Sequence, residues 1–396
     1  VTGFAHRTKS GELSIQADTL PAIISPALRN LPRSLQDPET RIRTRHVDFL
    51  LNSKLQQRVR MRSHILQYLR NFLLNKKFIE VQTPLISDKA SGAIAKPFVT
   101  TSEVISDKKL AFRVAPELWL KRLIIGGFDR IFEIGPAFRN EGFDTIHNPE
   151  FTTCELYKAY TSLEELIQMT ESLLKGMARA AESIRKESLC DLPEIDTIFF
   201  NLPFRRIEFI PAIEAALDEK LPNLATPNAQ EEILQLFLRR KIKLPTSPTL
   251  PRLLDRLSSI YVEPSCTEPT FIMYHPACMA PLAKSFLDSN CNQIVSARAE
   301  LFVNRCELAN MYEEENSPIE QRKKFEDQNK FKDHENDGCV DESYVEALEW
   351  GLPPTGGWGC GIDRLIMLFT GAERINDVLA FGSLKNVVNL GSVGKN

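Results

Sequence analysis

The sequence predicts an α+β protein, with an antiparallel sheet and helices between and after its strands. Three observations carry this reading. Runs of alternating apolar and polar residues come in pairs joined by tight turns, as in QIVSARAELFV and CELANMYEE around Asn304 and Arg305. Helical periodicity is confined to separate stretches with their own start signals, such as Ser162 with Glu165. Strands and helices do not alternate one for one, as a parallel βαβ sheet requires.

Taken in order, residues 1 to 25 hold GFAHRTKSGELSIQADTL, two short alternating runs around Lys9, Ser10 and Gly11. That is a hairpin signature. The stretch SPALRNLPRSLQDPET is rich in proline and polar residues and reads as a linker. From 54 to 75, Val59, Ile65, Leu66, Leu69, Phe72 and Leu73 recur at three- and four-residue steps, which predicts an amphipathic helix. FIEVQTP (78–84) follows as a strand stopped by Pro84. LAFRVA (110–115) is a further strand, and Pro116 opens the helix PELWLKRLII at a position proline tolerates.

RIFEIG and FTTCELY are strands flanking a loop that holds Arg139, Asn140, Glu141, Asp144, His147, Asn148 and Glu150. Ser162 and Glu165 have capping-box spacing at the head of a long helix reaching about 187. Residues 188–270 contain short helical patterns among prolines, with KLPTSPTLP as the expected mobile connection. We read them as an insertion without chemistry of its own. TFIMY (270–274) is a strand, HPACMAPLAK a loop, and Ser317, Pro318 and Glu320 start another capped helix. GLPPTGGWGCGIDRLIMLF (351–369) is a glycine-rich strand running into an apolar helix.

Composition bounds the function. At 396 residues, with 43% hydrophobic and 26% charged, the chain is long enough to bury a large core. No apolar run approaches the roughly 20 residues of a membrane-spanning helix. The chain opens on Val1 with no signal or transit pattern, so a fragment or processed form is expected. Eight cysteines include no C-x-x-C pair, which suggests reduced thiols of an intracellular protein and no zinc site. A net charge of −3 gives no global attraction to nucleic acid. RIRTRH (41–46) and RRKIK (239–243) could touch phosphate or simply be solvated surface.

Three constellations carry chemistry. In FTTCELY the parity of a strand puts Phe151, Thr153, Glu155 and Tyr157 on one face, a strip able to stack a flat ring and bind an ammonium group, or an ordinary half-exposed sheet face. In the late hairpin, Glu300 lies on one arm and Glu307 on the other, with Asn310, Tyr312 and Glu314 sharing a face. Acids on central strands without a His/Cys cluster suggest magnesium, and an exposed edge hairpin is the alternative. In GWGCGIDR (357–364), glycines let backbone approach a ligand ahead of Arg364. The familiar phosphate-loop patterns are absent, so a nucleotide would be held by arginines and sheet residues.

Together these segments resemble the class II aminoacyl-tRNA synthetases, and within them the lysyl-tRNA synthetases. The helix followed by FIEVQTP is similar to motif 1, FRNEG...HNPEFTTCELYKAY to motif 2 and GIDRL to motif 3. GAIAKPF (92–98), APELWLKRLIIGG (115–127), HPACMAPLAK (275–284) and ELFVNRCELANMYEEENSP (300–318) resemble the lysine-specific blocks, over about residues 37 to 382. The resemblance implies an antiparallel catalytic sheet that activates lysine with ATP and charges tRNA(Lys). It assigns Arg139 to the α-phosphate, with Glu141 near the adenosine or the tRNA end. His147 and Asn148 are placed by the phosphates and adenine, and Phe151 under the adenine ring. Arg364 covers the ring's other face and reaches the γ-phosphate, Gly361 belongs to the same ATP site, and Arg139 and Arg364 are the expected catalytic pair.

Glu300 and Glu307 are expected to hold Mg2+. Glu117, Glu155, Tyr157, Asn310, Tyr312 and Glu314 surround lysine, with Glu155 and Glu314 at the side-chain end and Glu117 at the α-amino end. The resemblance also implies a homodimer and no membrane. It divides the chain into residues 1–36, the end of an anticodon-binding OB-type barrel with its linker, and a catalytic domain over 37–396 with an insertion at about 188–270. By resemblance the form is fungal mitochondrial, with the cytoplasm as alternative.

Three departures from the family pattern stand out. SFLDSN follows PLAK where a bulkier basic run is usual, Cys360 replaces a small apolar residue, and residues 1–25 match only the barrel's last strands. Three other readings compete. A truncated relative that lysylates a protein such as elongation factor P normally lacks even GELSIQADTL. An inactive binding module would not need Arg139, Glu300, Glu307 and Arg364. Aspartyl or asparaginyl specificity is opposed by Glu155 and Glu314.

Overall fold

The N-terminal hairpin is formed by β1 (Gly3–Arg7) and β2 (Leu13–Ala17), antiparallel strands whose turn needs the left-handed backbone of Gly11, φ 86°. The structure, a computed structural model, describes residues 1–88, 92, 95–105, 108–142, 144–329, 340–382 and 384–388. Ala93 and Ile94 of the GAIAKPF block, and Cys339, lie outside the described residues. After the linker come α1 (Pro38–Arg43), capped by Asp37 Oδ2 accepting from the Thr40 backbone N–H at 2.7 Å, and α2 (Arg45–Leu51). The chain divides into two compact units, Val1–Leu51 and Asn52–Asn396. The division falls after α2.

In the second unit, α3 (Ser53–Asn75) leads into β3 (Ile79–Glu80). A small antiparallel sheet of β4 (Ile86–Ser87), β5 (Val99–Thr100) and β6 (Leu110–Phe112) precedes α4 (Glu117–Ile125). The long strands β7 (Arg130–Phe138) and β8 (Glu150–Ala159) pair through nine residues each way. Then α5 (Leu163–Ser188) begins with the full capping box, Ser162 and Glu165 bonding reciprocally. The insertion supplies β9 (Arg205–Glu208), α6 (Phe209–Leu217), α7 (Ala229–Arg240) and α8 (Leu250–Tyr261). The strands β10 (Thr270–Met273), β11 (Ser285–Asp288), β12 (Gln293–Ser296), β13 (Arg298–Val303) and β14 (Cys306–Glu313) follow. Last come α9 (Pro318–Asn329), α10 (Glu342–Leu348), β15 (Thr355–Gly361), α11 (Ile362–Thr370) and α12 (Leu384–Val388).

The central sheet has eight strands in the order β3-β7-β8-β15-β14-β13-β10-β9. All neighbours are antiparallel except at the two edges, where β3 runs parallel to β7 and β9 parallel to β10. This is the α+β architecture the alternating runs predict. One face is covered by α3, α5 and α11, where Leu69, Leu73, Met177 and Ile366 pack on Phe132, Leu156, Met311 and Trp358 of the strands. A second core joins Phe209, Ile213, Phe237, Leu253 and Leu257 of the insertion to Ile272 on β10 and Phe302 on β13.

Three elements differ from the sequence reading. β9 adds an edge strand inside the insertion, too short for its alternation to stand out from helical neighbours. QIVSARAELFV breaks in two, because β12 pairs with β11 and only β13 pairs with β14. FIEVQTP pairs only at Ile79 and Glu80, with one further bond from Val81 N to Phe132 O at 2.9 Å. The Asn304–Arg305 turn is as expected, both residues having positive φ (51° and 64°), the conformation that suits a two-residue hairpin.

Candidate active site

The opposite face of the sheet forms the floor of a cavity of about 1170 Å³. Strand parity decides what it sees. On β8, Phe151, Thr153, Glu155 and Tyr157 line the cavity, while Cys154 and Leu156 are buried in the core behind. On β14, Asn310 and Tyr312 line it by the same rule. Strict alternation would turn Glu307 away from Asn310. The register shifts between Leu301 and Phe302, which pair with Ala309 and Glu307, so Leu308 is an extra residue buried in the core. This β-bulge returns Glu307 to the cavity beside Glu300.

At one end, Arg139 stands with its guanidinium 5.1 Å from the Phe151 ring centroid. Arg364, at the head of α11, donates to the Glu307 backbone carbonyl at 2.9 Å and lies 2.6 Å from His147 Nε2. His147 is held in turn by Asp144 at 2.7 Å. Asn148 is nearly buried; its amide donates to Glu150 O at 2.5 Å and its oxygen accepts from Leu384 N at 3.3 Å. Glu141 and Gly361 also line this end. Beneath it, Arg62 of α3 binds Asp363 at 2.5 Å and Thr152 at 2.8 Å, residues adjacent to Arg364 and Phe151.

The acidic pair on β13 and β14 is electrostatically uneven. Glu300 ion-pairs with Arg298 and lies 3.1 Å from His275 Nε2, and the Arg298 charge together with the hydrogen bonds from both holds its carboxyl down at about 2 despite burial. Glu307 is pushed upward, first by burial and then by the charge of Glu300. Asp255 of α8 and Glu263 stand nearby; burial and then the charge of Glu300 raise Asp255, while burial and then the charge of Asp255 raise Glu263 to about 7. Among the described residues no group of three or more His, Cys, Asp and Glu side chains converges as metal ligands. Two carboxylates fit magnesium that is bound chiefly through substrate phosphates and water.

The other end is built for cations. Glu155 accepts from Tyr157 Oη at 3.1 Å, and Tyr312 Oη donates to Glu117 Oε1 at 2.5 Å. Burial, and then Glu117, push the Glu155 carboxyl up to about 8. Glu314 shares the face of Asn310 and Tyr312, as its parity suggests, but is fully buried there, with Oε2 ion-paired to Lys121 and Oε1 without a hydrogen-bond partner. It packs over Gly357, which is paired with Tyr157 and Tyr312: a Cβ there would lie 1.9 Å from Glu314 Oε1 and 2.7 Å from Tyr157 Cε1. The glycine is therefore required, and it leaves room for that orphaned oxygen beside the cavity floor.

The family model of class II tRNA synthetases (D, K and N) matches residues 37–385. A mitochondrial lysine–tRNA ligase of Schizosaccharomyces pombe is 41% identical over 98% of this chain and 72% of its own length. The chain belongs to the lysine–tRNA ligase family of class II synthetases. It is 42% identical to a lysine–tRNA ligase of Cladosporium cladosporioides over 98% of the chain and 66% of the relative, and 39% identical to a probable cytoplasmic lysine–tRNA ligase of Encephalitozoon cuniculi over 97% and 77%. It thus spans about two thirds to three quarters of the length of these relatives. As a synthetase of this class it is an ATP-dependent ligase. Among the described residues no helix is long and apolar enough to cross a membrane.

Sequence reasoning missed several groups of the synthetase site. Arg298 shares strand parity with Glu300, and Lys121 lies one helical turn after Glu117, so both had a readable signal. His275, Arg62 and Asp255 had none, because only the tertiary fold brings them to the cavity or its supports. Asp255 also corrects the view of the insertion, which supplies part of the cavity wall.

Proposed function

We propose that the cavity binds ATP and L-lysine side by side, forms lysyl-adenylate and passes the lysyl group to the 3′ end of tRNA(Lys). The carrying observation is the pairing of opposites in one cavity: Arg139 and Arg364 at one end, Glu117, Glu155 and the orphaned Glu314 oxygen at the other. A carboxylate oxygen of lysine attacks the α-phosphorus and pyrophosphate leaves; the tRNA hydroxyl then attacks the carbonyl and AMP leaves. Charge builds on the phosphate oxygens in the first step, so fixed cations serve it and no protein nucleophile is needed. Arg139 follows the α-phosphate, and Arg364 and Phe151 enclose the adenine. Glu141, His147, Asn148 and Gly361 complete the ATP site. Glu300 and Glu307 would hold magnesium, which would supply Lewis-acid neutralisation of the phosphates when bound.

At the lysine end, Glu117 takes the α-ammonium, and Glu155, Tyr157 and Glu314 the side-chain ammonium, with Asn310 and Tyr312 as walls. Buried carboxylates replace the water those charges lose. The test is lysine-dependent ATP–pyrophosphate exchange followed by charging of tRNA(Lys). Exchange with another amino acid in preference to lysine, or transfer to a protein acceptor and not to tRNA, contradicts it.

Further parts of this reading concern assembly. α3 and β3, whose Leu74 and Ile79 are half exposed, form a two-fold homodimer interface, checked by sedimentation. The β1–β2 hairpin, with Phe4, Leu13 and Ile15 exposed, is the end of the anticodon-binding barrel, residues 1–36, ahead of the catalytic domain. The mitochondrial matrix is the favoured compartment, supported by the S. pombe relative's name, with the cytoplasm as alternative; imaging of the tagged full-length protein decides.

A further inference from the structure

We propose that Lys121 is a specificity-determining positioning residue, whose buried ammonium ties Glu117 to Glu314 and so fixes the spacing of the carboxylates that receive the two ammonium groups of the amino acid. The inference rests on the lysine reading above. Lys121 follows Glu117 by one turn of α4 and is fully buried. Its Nζ lies 2.7 Å from Glu117 Oε1 and is ion-paired with Glu314 Oε2. The rings of Tyr312 and Tyr344 face it at 5.7 and 5.8 Å.

An ammonium in such a place is costly to desolvate, and an apolar side chain of similar volume would fill the space without that cost. Two consequences for the pocket explain a lysine here. The first is charge. Once a bound ammonium has displaced the Glu155 proton, Glu117, Glu155 and Glu314 are three carboxylates, and one internal ammonium leaves two negative charges, matching the two ammonium groups of a diamino acid. The second is geometry. Glu117 and Glu314 each give one oxygen to the same nitrogen, so neither can drift toward a shorter ligand; the remaining oxygens are presented at a set separation. Ornithine, one methylene shorter than lysine, cannot satisfy both without pulling a carboxylate away from Lys121.

The experiment compares kcat/KM for lysine and ornithine in ATP–pyrophosphate exchange, in the parent and in Lys121→Met, a neutral change of similar volume. The expected variant has lysine kcat/KM lowered at least tenfold through KM, ATP KM within twofold of the parent, and a lysine-to-ornithine ratio at least tenfold narrower. A purely structural lysine would lower thermal stability without moving that ratio. If a folded Lys121→Met keeps the ratio within twofold, the inference is overturned. If leaving Glu314 as a lone buried charge prevents folding, the neutral pair Lys121→Met/Glu314→Gln is compared with Glu314→Gln alone. A further narrowing of about tenfold supports the role, and equal ratios overturn it. A parent without lysine-dependent exchange overturns the functional reading itself, and the inference with it; altered ratios alone bear only on Lys121.

Discussion

Glu155 on β8 lies directly across the ladder from Glu133 on β7, yet the two carboxyls live in opposite electrostatic worlds. Glu133 is ion-paired with Arg113 at 2.6 Å and hydrogen-bonded by Thr83 at 2.7 Å. Glu155 has only the Tyr157 hydroxyl among the described residues, and burial with the neighbouring charge of Glu117 outweighs Arg139 and Arg113 and lifts it to about 8. In the free protein it is therefore protonated at neutral pH.

The first prediction is proton-linked lysine binding. A ligand ammonium favours the carboxylate, so binding below about pH 8 displaces the Glu155 proton, and lysine KM should fall as pH rises from about 6.5 to 8.5. The same raised value means the free protein loses stability as pH rises through that window, and lysine should restore more of it at the upper end. Calorimetry in buffers of different ionisation enthalpy counts the proton; no release at pH 7 means Glu155 is already ionised.

Glu155→Gln should leave folding and ATP KM near the parent and raise lysine KM about tenfold or more. A neutral amide replaces a charge-assisted hydrogen bond worth roughly 1.5–3 kcal/mol. Exchange kinetics with unchanged lysine KM would remove Glu155 from the pocket.

Arg139→Lys should damage turnover more than ATP binding, because lysine keeps the charge and loses the forked geometry that follows the phosphate oxygens. A kcat within about twofold of the parent in the exchange assay would end the proposed role at the transition state.

Gly357→Ala tests the pocket floor. Its Cβ would meet Glu314 Oε1 at 1.9 Å and Tyr157 Cε1 at 2.7 Å, so one of them must shift. The expected cost is about 1–3 kcal/mol in urea unfolding, with lysine KM raised and ATP KM spared. Equal losses for both substrates would point to general damage.

Arg62→Ala removes the partner of the buried Asp363 and a bond to Thr152. Breaking such a pair should cost about 3–5 kcal/mol and raise ATP KM, since Arg364 and Phe151 are next in sequence to the freed residues. A change in lysine KM alone would contradict this account.

What was readable in the sequence had local causes. The Ser162–Glu165 capping box, the Asn304–Arg305 turn and the β8 strip from Phe151 to Tyr157 depend on residues a few positions apart, and each formed as read. The bulge at Leu308 was not readable, because it shows only when β13 and β14 are laid in register. Parity alone would have misplaced Glu307; it gave the face of Glu314 but not its burial over Gly357, which depends on β15 crossing beside it. Asp255 lay furthest from view, since nothing in an amphipathic helix says which of its polar residues will meet a cavity.

The strand order also sets a timetable for synthesis. β7–β8 and β13–β14 are local hairpins, but β15, the strand that lies between them, leaves the ribosome after both. At about 5–20 residues per second, β8 (ending at Ala159) waits roughly 10–40 s for β15 (beginning at Thr355). During that interval its inner edge is open, and neither half of the cavity has its full floor. The nascent chain thus passes through a state with two unjoined β-ribbons that the proposed substrates, ATP and lysine, cannot stabilise. A nascent-chain holdase that shields bare strand edges would have its greatest effect on yield in that window, and changes within 355–361 should cost more soluble protein than changes of equal size in either hairpin.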